Sequence, residues 1–289
     1  MPNTIALAKN YTGLLDEVYR SASVTADLTS DSTMSRAGAN ANEIIYPQIT
    51  VSGLGDYDRN SGYTTGAVDL KWKTTAFNYD RGTKISVDVM DNEESRNLAF
   101  GMAGATLMRE KVAPEADAFT FATLAAMENI STATGTIDNA SQFLDALLTA
   151  WNKMDENEVP QEGRLLYATA TLLNSVMALD TTKSKEILAK FQAKKVVPQA
   201  RFYTTIEMLD GKTEGEEIGH YRKAADAQDI NFMIIHKPAI IKFDKHVASN
   251  IIPASSNPEA DADIIKYRKY GIVDAYANKR AGIYRHSKA

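Results

Sequence analysis

Apolar and polar positions alternate strictly over residues 68–73: Val68, Leu70 and Trp72 fall on one side, Asp69, Lys71 and Lys73 on the other. A period of two predicts a strand with one apolar face. Ile85, Val87 and Val89 repeat the pattern, and residues 44–55 (IIYPQITVSGLG) read as a further strand with Pro47 on an edge. The polar, glycine-bearing DYDRNSGYTTG that follows is a turn region. The alternating segments at 67–78 and 83–90 are expected to form a long two-stranded antiparallel ribbon, with a third short strand beside it. A ribbon of that kind is marginal in water and needs a surface to lie on.

At Asp91 the period changes from two to that of a helix. Asp91 is a good N-cap, and Glu94 three residues later completes a capping-box-like signal. Asp91, Glu93 and Glu94 sit where the helix dipole favours negative charge. Leu98, Met102, Ala105 and Val112 follow at near-helical spacing, and Gly101 and Gly104 allow another backbone to come close. Pro114 predicts a kink or a restart rather than an end. A nearly continuous helix over 92–127 would be roughly 50 Å long at about 1.5 Å per residue.

Upstream, residues 1–20 predict an amphipathic helix with Leu14, Leu15 and Val18 near one face. Residues 21–43 are rich in small polar groups and cannot bury enough surface to order alone. They read either as a floppy arm or as an arm that orders against a neighbouring subunit. Downstream, NISTATGTIDNA is a polar break. Helix 141–154 then carries Phe143, Leu144, Leu147, Leu148 and Trp151 on one stripe. A strand (LLYATA) leads to a helix holding Leu172, Leu173, Val176 and Met177, capped by Thr169 or Thr171. The lysine-rich run 183–195 reads as a solvated helix face, 200–207 as a strand, and 209–229 as a polar, mostly acidic surface loop. NFMIIH and AIIKF are strands on either side of Pro238. The aromatic C-terminal segment is expected to form strands that pair with one another and return to the long helix.

Composition narrows the function classes. The chain has 289 residues, 44% hydrophobic and 24% charged, which suits an ordinary globular protein. Its 32 basic and 37 acidic residues give a net charge of −5, unlike a dedicated nucleic-acid binder. Without cysteine there is no disulfide, thiolate nucleophile or cysteine zinc site. The start of the chain has no signal-peptide pattern, and no run approaches the roughly 18 apolar residues of a membrane span. The protein is expected to stay in the cytoplasm until it is assembled into something larger. His220, His236, His246 and His286 form no HExxH or close pair, and no phosphate loop or GxSxG elbow is present. Asp88, Asp91, Glu93 and Glu94 are explained by helix capping, and Glu214, Glu216 and Glu217 by a solvated loop. No cofactor or metal is expected. The basic segment 266–288 reads as a charged strand surface, with a polyanion contact as the alternative.

The order of these elements resembles the major capsid protein of tailed bacteriophages, with the Hong Kong 97-type fold. The resemblance covers nearly all of the chain after residue 40. It is carried by the ribbon at 67–78 leading into YDRGTKISVDVMDNEES, then LAFGMAGATLMREKVAPEADAFTFATLA, RLLYATATLLNSV, INFMIIHKPAIIKF and YRKYGIVDAYANKRAGIYRH. The DRG turn, the D-N-E-E helix start and the closing N-K-x-x-G-I-Y are its most specific pieces. The resemblance implies an α+β fold with an N-terminal arm (1–43), an extended β-hairpin loop (44–90), a peripheral domain with a long spine helix (91–136 and 255–289) and an axial domain (137–254). It implies a non-enzymatic protein that self-assembles, through pentamers and hexamers, into an icosahedral shell around phage double-stranded DNA. That DNA is enclosed without sequence-specific binding. A virion location follows, with assembly in the host cytoplasm and no membrane. Nothing here resembles the fused scaffolding segment of the type example, so a separate scaffolding protein and a portal are the expected partners. Val68, Leu70 and Trp72 are the expected loop contacts, and Glu214 and Glu216 the expected contacts near symmetry axes. An encapsulin-like compartment with the same fold, a soluble enzyme using the carboxylates, and a tail or neck structural protein forming rings or tubes are the alternatives.

Overall fold

The computed structural model describes residues 22–30, 36–37, 42–94 and 98–289. The predicted helix over 1–20, with Leu14, Leu15 and Val18, lies outside the described residues. The chain runs through β1 (Arg36–Ala37), β2 (Glu43–Val51), β3 (Val68–Ala76), β4 (Tyr79–Asp88), α1 (Val89–Glu94), α2 (Leu98–Thr106), a π-helical turn (Leu107–Val112) and α3 (Ala113–Ala125). It continues with β5 (Ser131–Thr134), α4 (Ala140–Glu156), β6 (Arg164–Thr169), α5 (Ala170–Leu179), α6 (Thr182–Ala189), β7 (Ala193–Val197), β8 (Ile206–Met208) and β9 (Tyr221–Lys223). Strands β10 (Ile230–His236), β11 (Ile240–Ile252), β12 (Ala262–Ala275) and β13 (Ile283–Ser287) complete it.

The ribbon has a different partner from the one expected. Strand β3 pairs with β2, from Val51 opposite Val68 to Glu43 opposite Ala76. Residues 83–88 lie in β4, which pairs with β12 in a separate sheet of order β11-β12-β4, while Val89 and Met90 begin α1. The reason sits in the link between β3 and β4. The Asn78 side chain donates to the Val273 carbonyl at 2.8 Å and accepts the Val273 N–H at 3.0 Å. That side chain therefore stands in for a strand pair and moves the chain from one sheet to the other.

Strand passes to helix with no loop, but the cap is Asp88, not Asp91. Asp88 Oδ1 accepts the Met90 N–H at 2.9 Å, and Asp91 already lies inside the first turn. The β4–β12 ladder ends at Asp88 opposite Ala262, so the backbone is turning three residues earlier than the capping pattern suggests. The expected restart at Pro114 is present. The π-helical turn precedes it, and the Ala113 N–H reaches back to the Met108 carbonyl. A proline near a helix start offers no N–H and crowds the preceding turn; a widened turn relieves both problems.

Sheet β5-β13-β10-β6-β7 divides the core in two. Leu166, Ala168, Phe232, Ile234 and Tyr284 face α4, α5 and α6, packing on Phe143, Leu147, Trp151 and Val176. The alternate residues Leu165, Tyr167, Met233, Ile235 and Ile283 face α3, packing on Phe121 and Leu124. The period of two thus buries both faces of β6 and β10. Helix α4 is capped by Asn139, whose side chain accepts the Gln142 N–H. Two expectations change here. The last strands do not pair with each other: β12 joins β11 and β4, whereas β13 lies between β5 and β10. The 3-10 turn Ala277–Gly282 carries the chain across, and a Cβ on Gly282 would come within 3.1 Å of His236. Only the end of the strand expected at 200–207 is a strand, β8 from Ile206; Gln199–Arg201 form a 3-10 turn, and Phe202 turns fully into the core before β8 begins.

Burial pushes the imidazoles of His236 and His286 below their ordinary value, with Arg164 adding to the effect at His236. Both rings are therefore kept neutral in the fold. As pH falls through the ordinary imidazole range, about 6.5, the unfolded chain takes up protons that the folded chain resists, and stability falls. Melting temperature is expected to drop between about pH 7 and pH 5. His286→Gln is expected to flatten that slope; an unchanged slope would remove His286 from the cause.

Candidate interaction surface

The β2–β3 hairpin has two chemically distinct faces. Cross-strand pairs Pro47–Trp72, Ile49–Leu70 and Val51–Val68 line one; Gln48–Lys71 and Thr50–Asp69 line the other. The root of the hairpin packs on its own chain. Ile44 and Tyr46 are buried with Ile241 and Ile272, and the Tyr46 ring meets Tyr276 edge-on at 5.1 Å. Beyond Pro47 the apolar face is open to solvent: Val51 is 64% exposed, Val68 71%, Leu70 50% and Trp72 47%. The tip adds Leu54, Tyr57 and Tyr63, all exposed. Asp58 shapes it by accepting the Asn60 N–H, and Gly62 takes a φ of +80° that disfavours other residues. A contiguous apolar face of this kind marks an interaction surface.

The structure therefore brings Val68, Leu70 and Trp72 together and adds Ile49 and Val51, which the 44–55 strand pattern contains but does not single out. Glu214 and Glu216 sit elsewhere, on the loop between β8 and β9. Glu214 is exposed, while Glu216 accepts the Asp210 N–H at 3.4 Å and lies 3.8 Å from Arg222.

A second arrangement fixes residues 22–30 to the body of the same chain. Asp117, fully buried on α3, accepts from Ser23 Oγ (2.7 Å), Val24 N (2.9 Å), Thr25 N (3.1 Å) and Thr25 Oγ1 (2.6 Å). Arg201 pairs with its other side at 3.1 Å. Lys242, buried on β11, donates to the Thr25 carbonyl at 2.9 Å and to Thr25 Oγ1. Burial lowers its ammonium to about 8, with Asp117 pulling the other way. Leu28 then enters the α3-side core with no exposure. This part of the expected arm orders on its own subunit. One carboxylate supplies what its composition lacks. Asp117 shares a largely apolar helix with Glu115, and nothing local marks it out, because its partners lie 84 to 94 residues away in the chain.

Three further carboxylates do structural work: Asp88 caps α1, and Asp210 and Glu217 accept backbone N–H groups of their own loop. Among the described residues, no group of three or more His, Asp or Glu is placed to hold a metal ion. No described helix is long and apolar enough to cross a membrane.

No family model matches the sequence, and no curated protein matches it. Solved structures do. One from Mycobacterium phage Che8 aligns over 91% of this chain and 90% of its own, with a TM-score of 0.61 and 15% identity. The capsid structure of cyanophage P-SCSP1u covers 88% and 85%, with a TM-score of 0.57 and 12% identity. The mature capsid of bacteriophage PhiM1 covers 88% and 84%, with a TM-score of 0.58 and 11% identity. The fold is that of phage capsid subunits. A capsid fold shared at such low identity rests on element order and packing, and Asp117 is one of the groups that hold that packing in this chain. Asp117→Ala strands Arg201 and Lys242 without their carboxylate. It is expected to cost about 3–5 kcal/mol in urea unfolding and to open residues 22–30 to protease; a loss below about 1 kcal/mol would contradict this role.

Proposed function

We propose that the chain is a major capsid protein, a structural and non-enzymatic subunit that self-assembles into an icosahedral shell around phage double-stranded DNA. The observation that carries this is the open apolar face of the β2–β3 hairpin, on a fold shared with phage capsid subunits. Burying a Val, Leu or Trp side chain of that face contributes roughly 1.5–3 kcal/mol. A second copy is the partner that supplies the cover, and repetition of the contact by rotational symmetry closes pentamers and hexamers. The hairpin takes the part of the extended loop, α1 to α3 with the returning strands β12 and β13 that of the peripheral domain and its spine, and β6, β7 and β10 with α4, α5 and α6 that of the axial domain. Residues 1–43 act as the arm, of which 22–30 are its fixed root. Glu214 and Glu216 present a charged loop to contacts near symmetry axes. A separate scaffolding protein and a portal complete the assembly in the host cytoplasm, and the virion is the final location.

The test is sedimentation and negative-stain microscopy of the expressed protein beside Leu70→Asp and Trp72→Glu. Closed shells or five- and six-fold rings are expected from the parent. Both variants are expected to stay folded, with unchanged melting temperature, and to lose shells at least tenfold, as a lost contact of about 1.4 kcal/mol repeated at every interface requires. Variants that assemble like the parent would overturn the hairpin's role. Double-stranded DNA in particles recovered from the native host separates a virion shell from a protein-filled compartment.

A further inference from the structure

The loop of residues 209–220 is tied to the body of the chain at one joint. It springs from the short β8–β9 pair, whose last rung is Met208 opposite Tyr221. The Leu209 N–H donates to the His220 carbonyl at 2.9 Å and closes the neck. Arg81 of β4 then grips both sides of that neck: its Nη2 donates to the Leu209 carbonyl at 2.7 Å and to the His220 carbonyl at 3.2 Å. The guanidinium is aimed by Glu115 of α3, which accepts Arg81 Nε at 2.7 Å, Arg81 Nη2 at 3.3 Å and the Tyr79 hydroxyl at 3.2 Å. Glu115 is buried, 7% exposed. His220 Nδ1 lies 3.5 Å from the same carboxylate, too far for a good hydrogen bond, and is buried with no hydrogen-bond partner.

Three features make the loop a rigid body on a hinge. Its own turn is held by Asp210, which accepts the Thr213 N–H, the Lys212 N–H and the Thr213 hydroxyl; these bonds hold its carboxyl down to about 2. Glu217 accepts the Gly215 N–H. At the neck, Gly211 (φ +71°) and Gly219 (φ +64°) face each other, and His220 itself sits at φ +75°, a strained region for a residue with a side chain. Behind the loop lies a cleft of about 380 Å³, lined by Lys84, Lys111 and Lys212, by Asp210 and Glu217, and by Leu107, Val112 and Ile218.

We propose that residues 209–220 form an acid-released flap, pinned shut by the Glu115 carboxylate through Arg81. Protonating Glu115 removes the negative charge that aims Arg81 at the neck. The Arg81 guanidinium is then left without its counter-ion in a joint whose rim already carries Lys84, Lys111 and Lys212. The flanking anions, Asp210 and Glu217, are committed to the loop's own backbone, and burial pushes the Tyr221 hydroxyl up to about 12. Burial alone would raise the Glu115 carboxyl, but His220 and Arg81 outweigh it and hold it below the ordinary value of 4.5. Its contribution is therefore complete above that value and is lost as pH falls through the lowered one. Because Asp210 stays ionised to about 2, the flap swings as a unit and keeps its turn. Opening bares the cleft and moves Glu214, Glu216 and the exposed Ile218. The flap belongs to a single chain and holds whether or not the chain assembles.

Hydrogen exchange of the full-length protein, corrected for intrinsic rates, tests this. Between about pH 7 and pH 3.5, protection of 209–220 is expected to fall about tenfold or more while β10 and β13 stay protected. Glu115→Gln is expected to show the open pattern already at neutral pH. Arg81→Lys, which has one ammonium in place of the two-sided fork, is expected to do the same and serves if Glu115→Gln fails to fold. Protection at 209–220 that matches the parent in either folded variant at neutral pH would overturn the flap, as would protection in the parent that does not change with acid.

Discussion

A two-stranded ribbon that carries large apolar side chains along one open face is the constraint around which this molecule is arranged. In water such a face costs free energy that nothing among the described residues recovers, and an isolated ribbon has little stability of its own. The root of the hairpin is therefore bound firmly, through Ile44, Tyr46, Phe77 and Tyr276, so that the rest is held out in a defined direction. The apolar face then stands ready for a surface outside the chain. Asn78 separates this element from β4 by pairing with Val273, and it keeps the projecting ribbon from being absorbed into the sheet that follows.

Helix α3 is the counterpart of that projection. Glu115 and Asp117 are two residues apart, so they leave the helix on nearly opposite sides. Glu115 grips β4 and the neck of the 209–220 loop through Arg81. Asp117 grips residues 23–25, Arg201 and, through Thr25, Lys242 of β11. On the Asp117 side, Phe121 and Leu124 pack against the five-stranded sheet. A single turn of helix thus ties together β4, the root of the arm and an acidic surface loop. Each tie is a carboxylate with several donors, which is how a buried charge is tolerated.

Much of this is legible in the order of residues alone. The alternation at 68–72, the direct passage from strand to helix, the stripe of α4 and the restart at Pro114 are all readable, because each depends on residues close in sequence. Strand pairing is not. The alternating patterns of β3 and β4 are equally good, and nothing local says that β3 turns back onto β2 while β4 goes to β12. The choice is made by Asn78 and by a strand distant in the chain. The parting of β12 and β13 has the same cause, since their aromatic patterns are alike and the tight turn at Gly282 sends them to different sheets. Val68, Leu70 and Trp72 can be read as an interaction face because their shared side of the strand follows from period alone. Asp117, Glu115 and Arg81 cannot be singled out in that way, because their importance lies in partners far off in sequence.

The most direct measurement is a near-atomic cryo-electron-microscopy reconstruction of the assembled particle. The expected result is a closed shell in which the Val51, Val68, Leu70 and Trp72 face of each hairpin is covered by a neighbouring subunit. A particle in which that face remains in solvent, or a protein that stays a small soluble oligomer under every assembly condition, would contradict the central claim.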